Sequence, residues 1–371
     1  YEIKECDWSS DVCSSDLIAL PAFLLLGNGE RLPGSDLQWG VLGWLGVVAS
    51  GLGLYWWNKG ASLVDGGTLE VGSSNALGVN AVSLVGGTLK ISGGSVTLAN
   101  VISIGGTSSG GGPRAGATFD TGSGTLTLDG ALVGYWAVGA DFPTNGTIVK
   151  LGSGTLVLTP KDAYGNATSN EIVGNIAIQE GTLQVYSVDA LGRGGTITMS
   201  HGTTLAFAGD PGTYVDSNPT VSADLYMPDA GDPTISVSSG NAIEWAGVIS
   251  GIGDLTKTGA GTLLLSATNT YTGATNVAAG TLEVDGSIAS SSLTTVSSGS
   301  ASVNAALTGI GTTGSVLVDW GTLQPGNTYV PTGTLTVAGN LTMTSNALLS
   351  ITVDSTSSSS VCSPSCAGRA G

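Results

Sequence analysis

The chain has 371 residues, 60 of them glycine, with 27 acidic against 10 basic residues and a net charge of −17. Charged residues make up 10% of it, far below the ~25% of an average globular mix. With no Lys/Arg stripe to neutralise phosphates, nucleic acid is excluded as a partner; the acidity suits a rod kept in solution by its own charge.

Residues 1–17 have no basic region ahead of an apolar run, so they are not a secretory signal peptide. The string D-W-S-S-D-V-C-S-S-D-L resembles translated sequencing-adapter sequence, and the segment is read as extraneous. Cys6 and Cys13 have the wrong spacing for a Cys-x-x-Cys metal site. The other cysteines are Cys362 and Cys366, and the body between them has none. That suits threading through a pore before any disulfide can lock the chain, and equally a cytosolic protein.

Residues 18–60 are a different material. Leu37–Asn58 carries no charge and has Trp39, Trp44, Trp56 and Trp57 near its ends, the pattern of a membrane-spanning helix. A short apolar helical segment is expected here, and it is the chain's one expected route of membrane contact. The phrase W-L-G-V-V-A-S-G-L-G-L-Y-W-W-N-K-G-A, Trp44 to Ala61, resembles a late helix of EamA-type drug/metabolite transporters. So short a stretch holds no transport path. Either it is a genuine anchor, or two unrelated sequences are joined near Gly66-Gly67-Thr68-Leu69; the join is the preferred reading.

From Ala61 a short phrase recurs: Gly-Thr-Leu at 67–69, 87–89, 124–126, 154–156, 181–183, 261–263, 280–282, 321–323 and 333–335. The position after the leucine varies freely (Glu70, Lys90, Thr127, Gln184, Glu283, Thr336), whereas the next is apolar (Val71, Ile91, Leu128, Val185, Val284, Val337). Side chains alternate along a strand, so one face is buried and the other, with Glu283, points to water. Steps of 19, 20, 27 and 30 residues between phrases fit one coil of a β-solenoid, or a coil with a loop added. Each coil then buries its inward row only against its neighbours. The inward leucines Leu69, Leu89, Leu126, Leu156, Leu183, Leu263, Leu282 and Leu335 are the residues the fold rests on.

The start at Ala61 shows no cap, which implies further coils upstream. Gly105–Gly116 and Asp162–Ser169 read as loops. Gly209–Pro233, with Pro211, Pro219, Pro228 and Pro233, is expected to leave the stack, because proline cannot occupy a central ladder position. Residues 355–371 read as a Ser-rich tail.

Four features resemble chemistry. Gly106-Thr-Ser108-Ser-Gly110 spells a nucleophile elbow but sits in a Gly/Ser loop with no helix to follow. Gly309-Ile-Gly311-Thr-Thr-Gly314 spells a dinucleotide fingerprint without a βαβ unit. Both are products of composition. His201 is the single histidine, so a metal site with two histidines cannot form; it reads as a solvated loop residue. Asp224, Asp229 and Asp232 offer a carboxylate pair for glycosidic chemistry or oxygens for calcium, but no basic residue lies between Arg193 and Lys257 to hold an acidic sugar. A solvated loop is the preferred reading, and no catalytic, cofactor-binding or metal-ligating residue is assigned.

The stretch Leu255–Val284, through K-T-G-A-G-T-L, N-T-Y-T-G and A-G-T-L-x-V, is similar to the passenger-associated strand repeat of bacterial autotransporters. G-T-L-Q-P-G-N at 321–327 and the strands up to Asp354 resemble the segment that follows such repeats. The resemblance covers about residues 61–354. It implies an all-β fold, a right-handed parallel β-helix exported to the cell surface of a Gram-negative bacterium. It also implies an outer-membrane β-barrel translocator as partner, not contained in this chain, and a structural or adhesive role toward host or neighbouring-cell molecules. No cofactor is implied. The alternatives are a secreted β-helix enzyme acting on polysaccharide and a fragment of a membrane transporter.

Overall fold

The computed structural model describes residues 63–105, 115–134, 146–161, 168–209, 219–299 and 304–353, with side-chain environments from Gly66 onward. The expected adapter-like segment, the apolar segment 18–60, the serine of the elbow-like motif, the loop cores at 106–114, 162–167 and 210–218, and the tail lie outside the described residues. No helix among the described residues is long and apolar enough to cross a membrane.

Every pairing between named strands is parallel, and each joins a strand to one in the neighbouring coil. Three sheets run along the stack. An eight-stranded sheet extends from Thr68–Val71 to Ile249–Gly251, an eleven-stranded one from Ser95–Leu98 to Leu341–Met343, and a seven-stranded one from Thr220–Val221 to Leu348–Leu349. A four-stranded sheet forms the third face near the start, and a three-stranded sheet serves the last coils. The result is a parallel β-helix. Among the described residues the one named helical element is the 3₁₀ turn Val188–Leu191, capped by the Ser187 hydroxyl accepting from the Asp189 amide.

The recurring phrase sets the register. Leu69 pairs with Leu89, Leu126 with Leu156, Leu156 with Leu183 and Leu263 with Leu282. Each of these four steps is therefore one coil. The phrase does not keep to one face: it lies in the eight-stranded sheet at 67–91, in the eleven-stranded sheet at 124–185 and in the seven-stranded sheet at 261–323. Parity holds throughout. Leu89, Leu126, Leu156, Leu183, Leu263 and Leu282 are buried, Leu335 nearly so, and Leu69 packs part-buried at the first described coils. Each buried leucine contributes about 1.5–3 kcal/mol through apolar area removed from water.

Glycine is required where the turns of adjacent coils touch. Gly181 and Gly280 have φ of +66° and +67°, and a Cβ on either would lie 2.4 Å from Gly154 O and 2.3 Å from Gly259 O, respectively. A side chain there is both strained and without room.

Two expectations need correction. The prolines of 219–233 do not take the described part of that stretch out of the stack. Thr220–Val221 and Asp224–Met227 are ladder strands, and Pro219, Pro228 and Pro233 flank them, where no ladder N–H is needed. Glu283 does not stand free in water either. It is half-buried, between Leu264 and Thr308 of the neighbouring coils.

The parity is testable at one adjacent pair. Leu183→Asp places an unpaired charge between coils and should cost several kcal/mol, whereas Gln184→Lys should stay within about 0.5 kcal/mol. Limited proteolysis near residues 176–207 reads this locally, as a stacked protein opens by coils; equal protection loss in the two variants would contradict the inward assignment.

Candidate functional site

The inward rows contain two cations. In the strand Ile148–Leu151 the inward positions are Ile148 and Lys150, and in Leu255–Thr258 they are Leu255 and Lys257. Both lysines are fully buried. Each follows an apolar inward residue and precedes x-Gly-[Ser/Ala]-Gly-Thr-Leu, so its side chain runs to the corner where the chain turns into the next sheet.

At each corner the ammonium meets three backbone carbonyls. Lys150 Nζ donates to Leu151 O at 3.0 Å, Gly152 O at 2.7 Å and, in the next coil, Glu180 O at 3.1 Å. Lys257 Nζ donates to Thr258 O at 2.7 Å, Gly259 O at 2.9 Å and, in the next coil, Ala279 O at 3.1 Å. The two clips match bond for bond, although one joins the eight- and eleven-stranded sheets and the other the eleven- and seven-stranded sheets. An ammonium has three donors, and each is used, so turn carbonyls of successive coils share one cation. Burial pushes both lysines down to about 8, with Glu180 and then Asp120 pulling Lys150 back up. Sequence reading quoted the K-T-G-A-G-T-L string but missed this role; the signal available was a lysine on the apolar parity.

The N-T-Y-T-G string builds a second polar corner. Asn269 Oδ1 accepts from the Ile249 amide at 2.9 Å, and its Nδ2 donates to Ala267 O and Ser287 O, each at 3.1 Å. Tyr271 is fully buried, its hydroxyl 2.7 Å from Thr275 Oγ1, which is 2.9 Å from Ser291 Oγ. Ser291 Oγ in turn donates to Gly273 O at 3.0 Å. Burial raises the Tyr271 phenol, so it stays protonated and bonded.

The acidic candidates do not converge. Asp224 Oδ1 accepts from the Val248 amide at 2.8 Å, while Asp232 lies 3.2 Å from His201 Nδ1 at the surface. Among the described residues no three His, Cys, Asp or Glu side chains come together to hold a metal. The dinucleotide-like glycines fall at the end of strand Ala305–Gly309 and around Thr312–Thr313, with no helix following. Outward, the eleven-stranded sheet carries Thr125, Thr155, Thr182, Thr204, Thr234 and Thr256 in register on consecutive coils. This is a long, uncharged polar row.

Two titrations follow. The unfolded chain keeps the Lys257 proton up to its ordinary 10.5, while the native state gives it up near 8. Between those values the unfolded state binds more protons, so native stability rises with pH. The stability of the protein relative to Lys257→Met, measured by denaturant titration, should be flat below pH 8 and increase toward pH 10.5. Glu283 is raised by burial first and by Asp285 second. Its carboxylate therefore costs stability at neutral pH, and Glu283→Gln should be the more stable protein there. That advantage should fade as pH falls through the native carboxyl's range toward the ordinary 4.5.

Residues 148–185 and 255–284 match the Passenger-associated-transport-repeat family, each match spanning one lysine clip and the coil it joins. Over 238 residues the chain is 34% identical to the adhesin BmaC autotransporter of Brucella suis, covering 56% of this chain and 6% of that protein. A separate likeness covers 55 residues, 15% of the chain. It is 62% identical to a probable biotin transporter of Pseudomonas aeruginosa and 54% identical to the biotin transporter of Escherichia coli K12, spanning 19% and 18% of those proteins. The chain thus spans about a fifth or less of the curated relatives it matches. No solved structure matches. The two clipped segments thus match the passenger-associated-transport repeat, and the solenoid that carries them is similar over much of its length to an autotransporter adhesin.

Proposed function

We propose that the solenoid is an exported passenger, displayed at the surface of a Gram-negative cell or released from it, where it acts as an adhesive scaffold without catalysis. The observation that carries this reading is the pair of lysine-clipped repeats within a continuous parallel stack. Such an array stores its stability in contacts between successive coils, so it can be built coil by coil from a threaded chain. The outward rows suit display: they are polar, largely uncharged and regular over many coils. The partner is an outer-membrane β-barrel translocator, and the adhesive targets are molecules of host or neighbouring cells. Asp224 accepts from a backbone amide and Asp232 meets His201 at the surface, which favours a scaffold over a polysaccharide-acting enzyme.

The test is to express the chain between a secretory signal and an autotransporter barrel in Escherichia coli. The expected outcome is solenoid epitopes on intact cells, removable by external protease, and increased binding of those cells to host-cell layers. Retention of the chain in the periplasm would contradict export, and display without any gain in binding would contradict the adhesive role.

A further inference from the structure

The tetrapeptide Ala-Gly-Asp-Pro occurs twice, at 208–211 and 230–233. The second copy lies in the turn between strands Asp224–Met227 and Thr234–Val237, directly over the turn of the preceding coil that holds His201. His201 Nδ1 stands 3.2 Å from Asp232 Oδ1, with the two side chains 71% and 63% exposed. Gly231 lets this happen: a Cβ there would lie 2.3 Å from His201 Nδ1, so the imidazole rests on bare backbone. The chain's single histidine is thereby placed on the carboxylate of an Asp–Pro bond, in contact with water.

We propose that Asp232–Pro233 is a self-cleavage site, with Asp232 as nucleophile and His201 as the proton donor. The proposal is independent of the export reading. Covalent geometry brings an aspartate oxygen within five-membered-ring reach of its own backbone carbonyl carbon, and such intramolecular attack has a very large effective concentration. Proline makes the better leaving group, because its nitrogen departs as a basic secondary amine.

In the first step Asp232 Oδ bonds to the Asp232 carbonyl carbon and the bond from that carbon to Pro233 N breaks. In its protonated form His201 gives its Nδ1 proton to the proline nitrogen, leaving a cyclic anhydride on Asp232 and a neutral imidazole. Water then opens the anhydride to two carboxylates. Of the two protons released, one returns to His201 and the other goes to the new amino terminus of Pro233. The sum is hydrolysis of one peptide bond.

The fold would hold the products together. Asp224–Met227 pairs with strands on both sides, as does Thr234–Val237, and Thr256 N donates to Pro233 O at 3.0 Å. The nick would therefore be silent until the stack is denatured.

The experiment incubates the purified full chain in native buffer with protease inhibitors, then resolves it in denaturant by intact mass. Fragments Tyr1–Asp232 and Pro233–Gly371 are expected. Asp232→Asn should abolish them, and His201→Gln, a change at an exposed side chain, should slow them about 10²-fold, the lower range for a positioned proton donor. Asp210–Pro211, with the same four residues, is the internal reference: in urea the two bonds should break at equal rates, and in the native chain Asp232–Pro233 should break faster. Circular dichroism of each variant separates loss of chemistry from loss of fold, with Pro233→Ala as a second variant that keeps the nucleophile, replaces the secondary-amine leaving group by a less basic primary one and should slow the cut. No cut at Asp232, a rate unchanged in His201→Gln, or equal cutting at Asp210 in the native chain would each overturn the proposal.

Discussion

Coil-on-coil register is the constraint from which the rest follows. A parallel stack repeats at about 4.8 Å, so whatever stands at one inward position lies under the equivalent residue of the next coil. Leu69 under Leu89 and Leu263 under Leu282 are the simple cases. A mismatch in length between coils cannot be absorbed within a strand without turning every side chain over. It is absorbed at the corners, and the corners are where the polar chemistry of this molecule collects.

Turning a corner between sheets leaves backbone carbonyls pointing inward, away from both ladder partners and water. Unpaired buried carbonyls are costly. Lys150 and Lys257 answer this with one ammonium for three carbonyls, and Asn269 with an amide that bonds three backbone groups of three coils. Charge in the interior is unfavourable by itself. It persists here because every donor has a partner, and because the alternative is a turn with orphaned acceptors in two adjacent coils.

Much of this was legible in the sequence. The period-two parity around Gly-Thr-Leu identified the buried leucines and the coil length, because apolar and variable positions alternate along nearly all of those strands. Three things were not. A phrase that moves from sheet to sheet reads the same in sequence, since every face has the same inside and outside. Pro219, Pro228 and Pro233 read as a break because sequence shows how many prolines there are but not that each stands at a strand end. The lysines drew no reading of their own, because charge is normally the mark of the outward row; only their parity with Ile148 and Leu255 betrays them. The contact of His201 with Asp232 joins residues 31 positions apart across one coil, and nothing in either local string announces it.

The geometry of the lysine clip also fixes what can replace it. Three carbonyls converging on one atom match a tetrahedral donor on a flexible stem. Guanidinium is flat and spreads its N–H groups in a fork, so arginine would bring equal charge and yet miss the point where Thr258, Gly259 and Ala279 aim. Among natural side chains, lysine alone is both long enough to reach the corner from an inward position and compact enough to be enclosed there. Within this fold, the exchange usually regarded as the mildest for a lysine is among the least tolerable.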